Sequence, residues 1–365
     1  MGFRNPNFCL YNKLENMFSK LFTTTVLACV GFAVLLAGMW RYSNVAHAKE
    51  LAPFPAIPYL LHKSWRNGYM KPVLYQSLKR RMPEAQYIVS RQRWVVAMLM
   101  RNHGHRIIPA FRRRWEPVLR LCKDYRIVIV ENDSIDQTRA LLLQWAAEDE
   151  RVVVLCGSDV NQSVNASQCR LDIFTVPFQR IGSPIKDTSH RRIELLAMFR
   201  NMYLQYVYHH FSDFDTLMVC DPDLIGIPYE PGFWHAVASM NHYPHLWAMS
   251  SYTLTPSQRP FDPFSFALPA GRCSWWSAAQ KERHDQEMTR LIPKILTPAT
   301  TIKPVSSSFF GCCLYRLPAL MMRRPIYLYL ENGYVCEHAT LHAQFPPSSI
   351  AIDPFWLLLL QQNLY

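Results

Sequence analysis

Short apolar runs alternate with longer amphipathic ones from residue 93 onward, and this alternation leaves few folds open. RWVVAMLM (93–100) and the β-branched YRIVIV (125–130) read as buried strands, and RVVVL (151–155) is a third. Between them, residues 107–122 space their apolar side chains at helical intervals, and TRALLLQW (138–145) reads as another helix. Strand, helix, strand, helix, strand is the pattern of a parallel sheet covered by helices. Right-handed crossovers then bring the strands' C-terminal ends to one edge, outside which ligands bind. A helix over 192–209, with Leu196, Phe199, Tyr203, Leu204 and Val207 in one stripe, leads into a fourth strand, DTLMVC (215–220). HLWAM (245–249) is a candidate fifth, and residues 252–301, dense in Pro, Trp and Phe, are the part expected to vary with substrate. The expected class is α/β with a mostly parallel central sheet.

The fourth strand runs directly into Asp221-Pro222-Asp223. Burying even one unpaired carboxylate costs several kcal/mol, so this pair either turns into solvent or holds something cationic. Two hard oxygen ligands one residue apart suit a divalent ion, Mn²⁺ or Mg²⁺, which in turn bridges the phosphates of a nucleotide sugar. The similar Asp213-Phe214-Asp215 precedes the strand and reads as a cap or turn. At the end of the second strand, ENDSIDQT (131–138) opens a helix with three carboxylates in six residues, more than a cap needs. Glu131, Asn132, Asp133 and Asp136 are therefore candidates for binding the base and ribose hydroxyls of a nucleotide. Arg200 and Asn201, one helix upstream of the acidic pair, either face the same pocket or leave the arginine snorkelling along an apolar helix. His338 and His342 share a helical face, yet Ala339 stands where a zinc hydrolase needs glutamate.

Residues 21–40 (LFTTTVLACVGFAVLLAGMW) carry no charge and match the length of a membrane-spanning helix. With Arg4, Lys13 and Lys20 ahead of them, the positive-inside rule makes 1–20 a cytosolic tail and 21–40 an uncleaved signal anchor. Residues 41–90 then form a stem or wrapping segment, and 91–365 a lumenal domain in the Golgi or ER. A cleaved leader ending at Ala46-His47-Ala48 is the competing reading. Asn161 and Asn165 open glycosylation triplets in a loop bracketed by Cys156 and Cys169, a candidate disulfide pair, and both features suit an oxidising lumen. The net charge of +12 is concentrated between residues 79 and 126, where thirteen Lys or Arg face three acids. Such a region fits a phosphate-bearing ligand, an anionic membrane or a solvated helix face. Nucleic acid is not an expected partner, since no recognition motif accompanies the charge.

Four segments in this order, ENDSIDQTRALLLQW (131–145), RNMYLQYV (200–207) ahead of the DPD strand, SSSFFGCCLYRL (306–317) and CEHATLH (336–342), resemble the fungal capsule-associated α-1,3-mannosyltransferase family. The resemblance spans roughly residues 94–344. It implies a GT-A type nucleotide-diphospho-sugar transferase fold, with 91–365 as the catalytic domain. It further implies a membrane-anchored, metal-dependent, retaining enzyme that moves mannose from GDP-mannose to a glycan acceptor. Carried over by position, Asp221 and Asp223 match the metal-binding motif and His342 the histidine that completes it. Gly311 matches the glycine-bearing loop near the acceptor, and Glu337 the acid beside the reacting carbon. Cys312-Cys313 after the glycine and His338 after the acid depart from the pattern, so a UDP-sugar donor stays open, as does a catalytically silent glycan-binding protein on the same fold.

Overall fold

The computed structural model describes residues 72–132, 134–156, 190–224, 230–255, 259–269, 274–275, 277–296, 301–329 and 334–360. All fall within one unit, Phe54–Tyr365. The expected anchor at 21–40 lies outside the described residues, as do Asn161, Asn165, Asp133 and Cys169. Among the described residues, no helix is long and apolar enough to cross a membrane.

The chain enters through helices α1 (Pro72–Arg80) and α2 (Met82–Arg91), then alternates β1 (Arg93–Met100), α3 (Gly104–Leu119), β2 (Asp124–Glu131), α4 (Thr138–Glu148) and β3 (Val152–Cys156). Helix α5 (His190–His210) leads to β4 (Thr216–Cys220), and α6 (Glu230–His242) to β5 (Ala248–Leu254). A separate two-stranded antiparallel sheet pairs β6 (Ser274–Trp275) with β9 (Tyr334–Val335), and between them in the chain come α7 (Ala278–Leu296), β7 (Lys303–Pro304), β8 (Cys312–Arg316) and α8 (Leu317–Arg323). Helix α9 (Glu337–His342) and β10 (Ile350–Leu359) complete the fold.

The main sheet has eight strands in the order β3-β2-β1-β4-β8-β5-β10-β7. Its β1, β2, β3 and β4 are mutually parallel, as are β5 and β10; β8 runs antiparallel between β4 and β5, and β7 runs antiparallel beside β10. The central strands β1, β3 and β4 are almost wholly apolar because both faces are covered. Val95, Ala97, Leu217 and Val219 point into the core beneath α5, while Trp94, Val96, Met98 and Met218 point into the core shared with α3, α4 and α6.

The expected strand–helix order is present, with α4 extending three residues beyond its predicted end. Helices α1, α2, α6, α7 and α8 were not expected. Pro83 reads as a breaker in sequence but sits in the first turn of α2, where its missing N–H costs nothing. The stretch 252–301 contains the 19-residue α7, whose buried stripe of Met288, Ile292 and Leu296 is diluted by charged residues.

Helix α6 lies directly on β10. A Cβ built on Gly232 would stand 1.7 Å from the Phe355 carbonyl oxygen. Gly232→Ala is therefore expected to cost about 3 kcal/mol of unfolding free energy, the upper end for overpacking, because the obstacle is backbone. The urea midpoint measures it, and an unchanged midpoint would mean that this helix and strand separate freely.

Candidate active site

Register fixes where the chemistry collects. Met100 stands opposite Glu131, and Ala97 opposite Val219, so β1, β2 and β4 end on one edge of the sheet. Asp221 follows β4 at that edge, and its N–H donates to the Gly311 carbonyl at 2.7 Å. Gly311 has φ +83°, a conformation open chiefly to glycine, and a Cβ there would meet Leu224 at 3.0 Å and Phe261 at 3.2 Å. The acidic pair and the glycine-bearing turn are thus joined through the antiparallel β4–β8 ladder.

One guanidinium organises the carboxylates. Arg200, only 5% exposed, donates through Nε to Glu337 Oε1 at 3.1 Å, through Nη2 to Asp221 Oδ1 at 3.4 Å and through Nη1 to the Tyr203 hydroxyl at 3.3 Å. Its plane lies over the Phe309 ring, 5.0 Å from the centroid. The snorkelling alternative fails: α5 turns Arg200 inward to the acids. Glu337, at the start of α9, is also buried, and Cys336 Sγ approaches its other oxygen at 3.7 Å.

Asp223 and Asp262 are in no ion pair among the described residues. Burial, reinforced by Asp221, pushes the Asp223 carboxyl up to about 7. Burial, reinforced by Glu337 and more weakly by Asp221, pushes Asp262 up to about 8, with Ser265 opposing. Burial also raises Asp221; Arg200 opposes that shift and Glu337 adds to it. Four acids, Asp221, Asp223, Asp262 and Glu337, thus gather near Arg200, and Arg192 adds a weaker positive influence on Asp221. Among the described residues, no three His, Cys, Asp or Glu side chains converge to cage a metal. Asp221 and Asp223, one residue apart at the strand end, would supply two hard oxygen ligands to a divalent ion.

His342 stands differently from its expected place as a metal ligand. Nδ1 lies 3.0 Å from the Ser307 hydroxyl and Nε2 3.1 Å from the Tyr315 hydroxyl, so both ring nitrogens are engaged. Burial lowers its pKa to about 3, and the neutral ring ties α9 to β8. Asn201 likewise serves the fold: its Nδ2 donates to the Tyr327 carbonyl at 2.7 Å, and its Oδ1 accepts the Tyr327 N–H at 2.8 Å.

At the expected nucleotide floor the structure separates the candidates. Glu131 is fully buried, paired with Arg139 and bonded to the Ser134 N–H, which leaves it a loop anchor. Asp136 Oδ1 accepts the Thr138 N–H at 2.9 Å, the cap geometry weighed against the nucleotide role. The Thr138 hydroxyl oxygen in turn accepts the N–H groups of His103 and Gly104, both at 2.7 Å. Among the described residues, Asn132 Oδ1 is buried without a hydrogen-bond partner. Beside these groups opens a cavity of about 610 Å³, lined by Asn102, His103, Gly104, Arg106, Ile135 and Asp136 among others. Ile135 is 87% exposed at its rim. Sequence reasoning missed Asn102 and His103, which follow β1 without any acidic signal. It also missed Asp262, whose only mark is a lone acid inside the apolar run Pro260-Phe261-Asp262-Pro263-Phe264.

No protein family profile matches the chain, and no curated protein matches it in sequence. Solved structures similar to it include a mannosyltransferase from Pyrobaculum calidifontis in complex with GDP-Man and Mn²⁺, 11% identical, covering 77% of this chain and 67% of that one at a TM-score of 0.34. Glucosyl-3-phosphoglycerate synthase from Mycobacterium tuberculosis, in complex with Mn²⁺, UDP-glucose and phosphoglyceric acid, is 14% identical, covering 74% and 72% at a TM-score of 0.38. S. aureus TarS (residues 1–349) is 13% identical, covering 71% and 57% at a TM-score of 0.36. Likenesses this distant say nothing specific about the present chain's substrate.

Proposed function

We propose that this protein is a metal-dependent glycosyltransferase of GT-A type that moves a sugar from a nucleoside-diphosphate donor to a glycan hydroxyl. The carrying observation is the acidic pair Asp221 and Asp223, joined through Asp221 to the Gly311 turn at the edge that also holds the 610 Å³ cavity. A diphosphate needs a countercharge as it leaves, and two carboxylates one residue apart suit the divalent ion that would supply it.

The roles follow from position. Asp221 and Asp223 would hold Mn²⁺ or Mg²⁺, which when bound neutralises the departing diphosphate. The cavity beside Asn102 and His103 takes the nucleoside, with Ile135 against the base. Burial lowers the His103 pKa to about 4, with Asp136 opposing, so the ring there is neutral at physiological pH and offers hydrogen bonds without charge. Arg200 orients Glu337 beside the reacting centre through the Nε hydrogen bond. The resemblance in motif order favours GDP-mannose and retention, with a UDP-sugar as the second donor to try. The uncharged run 21–40 favours a single-pass membrane protein whose catalytic part faces the Golgi or ER lumen.

A thermal-shift screen of the lumenal part tests the reading. GDP or UDP is expected to raise the melting temperature in the presence of Mn²⁺ and much less without it. A ligand at about a hundredfold excess over its Kd adds about 2.7 kcal/mol to the folded state. No shift with any nucleoside diphosphate, metal present, would remove the enzyme reading and leave the glycan-binding alternative.

A further inference from the structure

We propose that Asp262 reads the transferred sugar, its carboxyl hydrogen-bonding a hydroxyl of the hexose seated between the Gly311 turn and Glu337. The inference rests on the reading of the site as one for a nucleotide sugar, and it assigns the residue that distinguishes one sugar from another.

The backbone holds Asp262 in place at some cost. Its φ of 49° and ψ of 57° are left-handed, a region that non-glycine residues enter mainly as Asp or Asn. Pro263 follows, which disfavours the right-handed helical conformation for the residue before it. The turn is then secured from three sides. The Asp262 carbonyl accepts both the Ser265 N–H at 3.2 Å and the Ser265 hydroxyl at 3.0 Å. The Ser307 hydroxyl donates to the Ser265 carbonyl at 2.7 Å, and the Phe309 N–H to Ser265 Oγ at 3.3 Å. Phe261 donates its N–H to the Thr253 carbonyl at 2.9 Å and sets its ring where a Cβ on Gly311 would come within 3.2 Å. Strain of this kind persists where surrounding structure over-determines it and commonly marks a functional position.

What the carboxyl faces narrows the ligand. Glu337, Asp221 and Asp285 are its charged neighbours, all acids, and it is in no ion pair among the described residues. Arg200 is already engaged with Glu337 and Asp221, and Lys281 with Asp285. A second anion is repelled here, while a neutral polyhydroxylated ligand finds both donors and acceptors. Asp221 and Asp223 face the diphosphate, so the group one bond beyond it, the hexose, is what reaches Asp262.

The test compares Asp262→Gly and Asp262→Asn with wild type. Glycine accepts the left-handed backbone without strain, so Asp262→Gly is expected to fold with an unchanged melting temperature. Its affinity for Mn²⁺ with GDP or UDP is expected to stay within about twofold of wild type. Its affinity for the preferred nucleotide sugar is expected to fall by about tenfold or more, and its preference among nucleotide hexoses to flatten. Asn, which keeps an acceptor and a donor, is expected to restore part of the loss, a rescue that a purely structural or charge role does not predict. Equal loss of the nucleoside diphosphate and the nucleotide sugar overturns the proposal in favour of a phosphate or metal role. A nucleotide-sugar preference identical to wild type also overturns it. Wild-type protein that binds no nucleoside diphosphate overturns the transferase reading itself, and the proposal with it.

Discussion

Replacing Arg200 with methionine is expected to lower the unfolding free energy by about 3–5 kcal/mol, the cost of leaving buried charge without its partner. The side chain is 5% exposed and is the shared donor for Glu337, Asp221 and the Tyr203 hydroxyl. Methionine keeps much of the volume over Phe309, so the loss reports charge and hydrogen bonds and not a cavity. Lysine in its place is expected to recover part of the stability, because it retains the charge but not the fork that reaches both acids. Urea denaturation measures all three proteins. If Arg200→Met unfolds at the wild-type midpoint, the acids are compensated from elsewhere, with Arg192 the nearest candidate.

Asp223→Asn is expected to cut metal-dependent turnover by roughly 10²–10³-fold, the scale of losing one principal electrostatic contact to the reacting group. Its effect on the metal-free protein has the opposite sign. The folded state holds the Asp223 proton up to about pH 7, whereas an unfolded aspartate releases it near about 3.9. Between those values the native state binds more protons than the unfolded chain, so stability falls as pH rises. Wild-type protein without metal is thus expected to have a lower urea midpoint at about pH 8 than at about pH 5. Asparagine removes this contribution, and the midpoint should fall less; Asp262, raised to about 8, keeps part of the slope in both proteins. Saturating Mn²⁺ is expected to restore the wild-type midpoint at the higher pH and to do little for the variant. A variant that binds Mn²⁺ and GDP as wild type does would move the ligand role away from this pair.

Strands β1 to β5 were legible because continuous apolar runs such as RWVVAMLM, buried on both faces, have few other uses, whereas β7, β8 and β10, short or broken by Pro and Asp, were not. Asp221 and Asp223 were legible for a related reason, being charges placed where a buried strand stops. The roles of Glu131, Asn201 and His342 were not. Each is polar and stands near motif residues, yet what it does depends on who reaches it across the chain: Arg139 and Ser134, the Tyr327 backbone, and the hydroxyls of Ser307 and Tyr315. Sequence spacing carries no record of such partners. Asp262 is the reverse case, a residue in an aromatic stretch without periodicity whose importance appears only when the turn brings it to Glu337 and Asp221.

The hydrogen bond from Asp221 to Gly311 has a consequence for how such a protein changes over evolutionary time. The two residues prolong adjacent antiparallel strands, paired Cys220 to Cys312, so their separation is set by the sheet and not by any loop. Insertions can lengthen the segments after β5 or before α9 without altering that separation. On the proposed transferase reading, substrate preference and the leaving-group machinery are thereby insulated from each other, and new specificities are expected to arise in the former while the latter stays unchanged.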